Sequence, residues 1–211
     1  MSDDGLFGAE GVTCRVNRES VLLLGARREL LLQVAHPSVG DGDAPYGDAE
    51  LRWLWAVRLE TALLIYTRYV APLGVADVES YYAEQRVLLG ACGIPSETVP
   101  ETFAGFMQWY DETVEQVLEV TPAAREVADA ILRPRRLALP LRPAYDALNL
   151  ATIGLLPPTL REAYGIGWGP QRERLLGAQT SLVRRLMPVL PSLLRELPSA
   201  RAADWSLLGA A

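Results

Sequence analysis

Few side chains in this chain can do chemistry, and their types narrow that chemistry at once. All 20 basic residues are Arg. With no Lys, a Schiff-base lysine and a phosphate-loop lysine are both excluded. There is one His, His36, and two Cys, Cys14 and Cys92. That set cannot assemble a His/Cys zinc cluster. Two distant Cys do not make a disulfide framework either. His36, just before Pro37, could move a proton near neutral pH, or serve as a hydrogen-bonded residue at a helix end. Cys92, in the apolar run LLGACG, reads as a small core residue. The run GDGDAPYGD (residues 40–48) has an EF-hand flavour, but it lacks the twelve-residue spacing and the closing Glu. It reads as a turn-rich loop.

The remaining candidates stand together in residues 48–70, DAELRWLWAVRLETALLIYTRYV. The stretch is apolar on nearly every side, the pattern of a helix buried in a core. Yet Arg58 and Glu60 sit near its middle. A buried charge without a partner is costly, so each needs a partner or a purpose. In a helix the two lie about 200° apart and face opposite sides. Structurally, Arg58 would pair with a carboxylate from another helix and Glu60 with one of the many Arg. Functionally, Arg58 would hold an anionic group, and Glu60 or His36 would transfer a proton. Trp55 and Tyr66 would supply aromatic wall and Thr61 a polar contact. The pocket is expected between this central helix and the helix ending at His36, because elements joined by a short loop pack side by side.

The elements that must position these residues are helical throughout. Asn17 reads as an N-cap of a helix running to Ala35, with Val21, Leu24, Leu31, Leu32 and Ala35 inward and Arg27, Arg28 and Glu29 toward water. His36-Pro37 ends it. Asp48 caps the central helix and Pro72 closes it. Residues 77–91 form a helix stopped by Gly93. Residues 100–118 carry Phe103, Phe106, Met107, Tyr110, Val114 and Val117 at helical spacing. Thr121-Pro122 is a cap and a helix-opening Pro, starting a helix to Leu132. Residues 133–136 link to helices over 143–156, 159–164 and 170–187. No window alternates like a strand. The prediction is an all-α, single-domain orthogonal helical bundle of about eight helices over residues 1–211, with residues 1–11 flexible and 188–211 a tail.

The 211 residues, half of them apolar, suffice for one core. No run is long and apolar enough to span a membrane, and the acidic start lacks a signal peptide's pattern, so a cytoplasmic protein is expected. Charge is uneven. Residues 1–130 hold 9 Arg against 21 acids, and residues 131–211 hold 11 Arg against 5. A basic second part could face an acidic partner, an anionic membrane or nucleic acid, or simply be a solvated face.

Four blocks carry a family resemblance: VTCRVNRESVLLLGARRELLLQVAHP (12–37), YYAEQRVLLGACGIP (81–95), VTPAAREVADAILRP (120–134) and GLLPPTLREAYGIGW (154–168). In order and spacing the chain resembles the MpaB-type and rubber-oxygenase catalytic-domain family. That resemblance implies an all-helical fold, haem b and oxygenation of apolar substrates. It also shows departures. The central helix looks like the family's WVHATLVDS-type helix, with Trp53 at its Trp, Trp55 where it has His, and Glu60 where it has Asp. Cys14 stands where Trp is common. The stretch that carries the haem-ligating His in the family has no counterpart between His36-Pro37 and the central helix.

The resemblance with these departures implies a scaffold that has lost haem ligation and needs no cofactor. Acid/base chemistry on a small metabolite is expected, an elimination or cyclisation, with catalytic His36 and Glu60 and with Arg58, Trp55, Tyr66 and Thr61 binding substrate. A haem-dependent oxygenase and a non-catalytic ligand- or partner-binding subunit are the alternatives. Self-association or a second subunit is expected to cover the surface the shortening leaves; no nucleic acid and no metal are expected. The Arg-only composition suggests a GC-rich actinobacterial source and a natural-product pathway.

Overall fold

The helix that organises the molecule is α3, Asp48–Tyr69. Trp53, Ala56, Val57, Leu59, Ala62, Leu63, Ile65, Tyr66 and Tyr69 are all buried. Together they cover its whole circumference, which is why it packs on α1, α2, α4 and α9 rather than lying on a surface. The computed structural model describes residues 12–37, 47–91, 93–134, 137–191 and 196. The expected flexible start, the Gly/Asp loop, Cys92 and nearly all of the tail beyond Pro191 lie outside them. Gly47, rather than Asp48, occupies the cap position of α3, and no side chain caps it.

The single helix expected over residues 17–35 is in fact broken. α1 spans Val12–Arg18, a 3-10 turn spans Ser20–Leu24, and α2 spans Ala26–Gln33. Asn17 lies inside α1 and caps nothing; its side-chain oxygen accepts from the Tyr81 hydroxyl at 3.2 Å. The chain leaves the helix at Glu19, which is extended (φ −73°, ψ 125°), while Gly25 keeps helical dihedrals and serves a steric purpose. A Cβ there would stand 2.5 Å from Thr61 Cγ2, so only glycine lets this segment lie so close against α3. The restarted helix turns Arg28, Leu31 and Leu32 into the core. Arg28 therefore does not point to water, contrary to the expectation that it would be solvated.

The other helices form where expected. α4 (Val75–Ala91) ends at Gly93, whose φ of +86° is the left-handed conformation a helix stop requires. The Ile94 amide closes back on the Leu89 carbonyl at 3.3 Å. Thr102 caps α5 (Phe103–Gln116) by accepting from the Gly105 amide, and Thr121 caps α6 (Pro122–Leu132) by accepting from that of Ala124. α7 (Arg142–Gly154), α8 (Pro158–Ala163) and α9 (Pro170–Leu186) follow. Among the described residues there is no strand, only an isolated bridge between Glu19 and Glu196. The fold is all-α. The main core runs from Val16 through α3 to Met187, a smaller cluster of Leu89, Ile94 and Val99 packs against Leu51 and Trp55, and no described helix is long and apolar enough to cross a membrane.

Candidate functional site

Arg28 and Glu60 form the polar centre of the core. The Arg28 guanidinium donates to both carboxylate oxygens of Glu60, at 2.6 Å and 3.1 Å, to the Leu155 carbonyl at 2.7 Å, and to the Thr61 hydroxyl. The Tyr110 hydroxyl donates to Glu60 at 3.2 Å. Arg28 is 2% exposed and the Glu60 side chain 12%. Burial pulls the Arg28 pKa down, but Glu60 and Tyr110 alongside pull it up more strongly, so the guanidinium stays charged. Burial, with the Glu60 carboxylate adding to it, pushes the Tyr110 phenol well above its ordinary range and keeps it a neutral donor. Both Glu60 oxygens are therefore occupied by fixed donors, and the fork geometry is that of a bidentate Arg–carboxylate pair.

Arg58 leaves the same helix on its other side. It donates to Glu29 at 3.0 Å from an exposed position. Burial raises the Glu29 pKa while Arg58 lowers it, and burial prevails. Consecutive residues of α2, Arg28 and Glu29, thus pair with the two charges at the middle of the central helix, Glu60 and Arg58. Thr61 belongs with Glu60. Trp55 does not: its indole N–H donates to the Gln85 carbonyl at 3.1 Å, and its ring packs on Phe106 and Tyr82, centroids 5.7 Å and 6.2 Å away. Tyr66 is buried toward the far end of α3, and burial raises its pKa.

His36 stands at the other end. Its ring stacks on Trp53 at 5.0 Å, and Trp53 stacks in turn on Tyr110 at 5.4 Å. A ladder of rings therefore leads from His36 to the hydroxyl that holds Glu60. Trp53 and Glu60 are about 10 Å apart along the helix axis, so His36 and Glu60 are linked through rings rather than facing each other. Burial, then the charge of Arg52, lowers the His36 pKa, so the imidazole is neutral at pH 7.

Two clefts lie elsewhere than the expected pocket. A cleft of about 480 Å³ is lined by Leu132, Arg133, Asp146, Asn149, Trp168 and Arg172 among others, none of them a predicted site residue. A second opening, on the outer side of Arg133, is lined by Glu126, Asp129, Ala130 and Pro134. Two participants escaped the sequence reading. Arg28 was legible in principle, since it shares the i+3, i+4, i+7 stripe of Leu31, Leu32 and Ala35. The cleft gives no signal in sequence, because its walls come from α6, α7 and the turn before α9.

The haem that the resemblance implies can be tested against these residues. An axial ligand must be a His, Cys, Met or Tyr facing open space. Neither cleft is lined by any of these. Around Trp55, where the family pattern has His, the volume is occupied by Phe106 and Tyr82. The described residues that line these two clefts and pack on Trp55 offer no open axial position for a haem iron. No group of three or more His, Cys, Asp or Glu among the described residues is placed to hold a metal ion.

The all-helical bundle around α3 is the fold that the resemblance implies. The profile of the ER-bound oxygenase mpaB/B′ and rubber oxygenase catalytic domain matches residues 44–191, and the chain belongs to that family. Three of the four resembling blocks lie inside the match; residues 12–37 lie before it. No curated protein and no solved structure matches the chain.

Proposed function

We propose that this chain is a haem-free branch of the oxygenase family that uses the inherited scaffold for cofactor-independent chemistry on a small molecule. The observation that carries the reading is the filled interior at Trp55. Phe106 and Tyr82 close the space beside it, and its N–H is committed to the Gln85 carbonyl. In such chemistry the proton-transfer role falls to His36. Its neutral imidazole is competent to accept a proton, whereas Glu60 is bound by Arg28 and Tyr110 and acts as a structural partner. Elimination or cyclisation needs no more than such a group and a bound substrate.

The test is purification after growth with a haem precursor. The expected outcome is no Soret band in the protein peak, and none gained on titration with hemin. A stoichiometric Soret band abolished by His36→Ala would restore the oxygenase reading. A non-catalytic binding subunit is the second reading. It is favoured by the ion pairs that hold both Arg58 and Glu60. Loss of turnover in folded His36→Gln, with substrate binding retained, separates the enzyme from the subunit.

A further inference from the structure

The cleft in the second half of the molecule plays no part in the proposed function, and a ligand bound there is independent of it. The cleft lies between the end of α6, α7 and the turn that leads into α9. Its size is within the ~300–1,000 Å³ of ordinary small-molecule sites. We propose that it binds a small amphipathic carboxylate, with a flat apolar body against Trp168, Leu150 and Ile153 and the carboxylate on Arg172, assisted by Arg133.

The apolar wall is built rather than incidental. The Trp168 indole N–H donates to Glu173 at 2.7 Å, and the Arg161 guanidinium lies 4.9 Å from the ring centre. The ring is seated against Gly154, where a Cβ would fall 2.6 Å from Trp168 Cη2; glycine makes room for the indole. Gly165, at φ +69°, provides the turn that brings the Trp168 segment over the cleft. Asn149 is fixed at both ends of its amide, by the Leu132 carbonyl at 2.9 Å and by Arg27 at 2.7 Å. It is wall, not recognition element.

The polar end is cationic. One Arg172 N–H donates to the Gly167 carbonyl at 2.6 Å, which fixes the guanidinium; the others meet no acceptor among the described residues. Among those residues Arg133 pairs only with exposed Asp129 at 3.2 Å, a contact weak enough to exchange. Asp146 is the one acid in the lining. Arg27 and Arg161 stand directly behind the walls. The balance selects an anion, and the planar fork of Arg suits a carboxylate. The apolar side chains beside it, Trp168, Leu150 and Ile153, reject a fully hydrated ion.

The experiment is calorimetric titration of the full chain with naphthoate and with neutral naphthalenemethanol. Naphthoate is expected to saturate one site and to bind roughly 10-fold or more tightly than the alcohol, the scale of a charge-assisted hydrogen bond. Arg172→Ala should weaken naphthoate roughly 10-fold or more and leave the alcohol unchanged. Arg172→Lys, which keeps the charge and loses the fork, should fall between. Should Arg172→Ala not fold, the Lys variant decides alone. Arg184→Ala, on the same helix and away from the cleft, should change nothing. Equal affinity for acid and alcohol, an unchanged Arg172 variant, or no saturable binding at millimolar naphthoate would each overturn the assignment.

Discussion

Replacing Glu60 by Ala should be among the most destabilising single changes available in this protein. Arg28 is 2% exposed, so water cannot take over the charge that Glu60 neutralises. The guanidinium would keep Leu155 and Thr61 but lose its counter-ion and two hydrogen bonds. Leaving one partner of a buried pair uncompensated costs about 3–5 kcal/mol. For a chain of this size that corresponds to roughly 6–20 °C in Tm. Arg28→Met should cost less, because the orphaned Glu60 side chain is 12% exposed and keeps the Tyr110 hydroxyl. The double replacement, Arg28→Met with Glu60→Leu, should cost markedly less than the two singles together, since no charge remains buried. Urea unfolding followed by circular dichroism measures all three against the parent. A cost under about 1 kcal/mol for Glu60→Ala, or singles that add to the double within about 0.5 kcal/mol, would rule out a coupled buried pair.

Other outcomes depend on the same contacts. Because folding lowers the His36 pKa below its unfolded value of 6.5, the unfolded chain binds the proton better; stability should be full above that pH and decline as pH falls through it. His36→Gln should flatten that part of the stability–pH curve, and an unchanged curve would deny the shift. Gly25→Ala should cost about 1–3 kcal/mol in urea unfolding, because its Cβ meets Thr61 Cγ2 at 2.5 Å. Thr121→Ala should remove the cap on α6 and cost about 1 kcal/mol; a loss below a few tenths would show that the cap does not matter there.

The central helix was legible because apolarity on every face has only one physical outcome in water. The caps at Thr121 and the stop at Gly93 were legible because each depends on a few neighbouring atoms. The break at Glu19 was not, nor was the close approach at Gly25, though a glycine inside a helical pattern is a known warning; what requires glycine there is Thr61, 36 positions further along. Arg28 was misread because ARRE looks like a solvated turn, and only Glu60 and Leu155 together make its burial tolerable. Glu60 and Thr61 do stand together, but Arg58 and Trp55 leave α3 toward Glu29 and Gln85, and His36 is joined to the centre only through rings. Directions on a helix can be computed from sequence, whereas the identity of whatever lies in each direction cannot.

The family match begins at residue 44, yet the core it describes is closed from outside that span. The Trp53 indole donates to the Leu32 carbonyl, the Tyr164 hydroxyl to that of Leu31, and Glu60 is neutralised by Arg28. A chain begun at residue 44 would expose the Trp53 and Tyr164 donors without acceptors and Glu60 without its cation. α2 is thus an inseparable plug rather than an appendage. Truncation to residues 44–191 should therefore yield insoluble protein on expression.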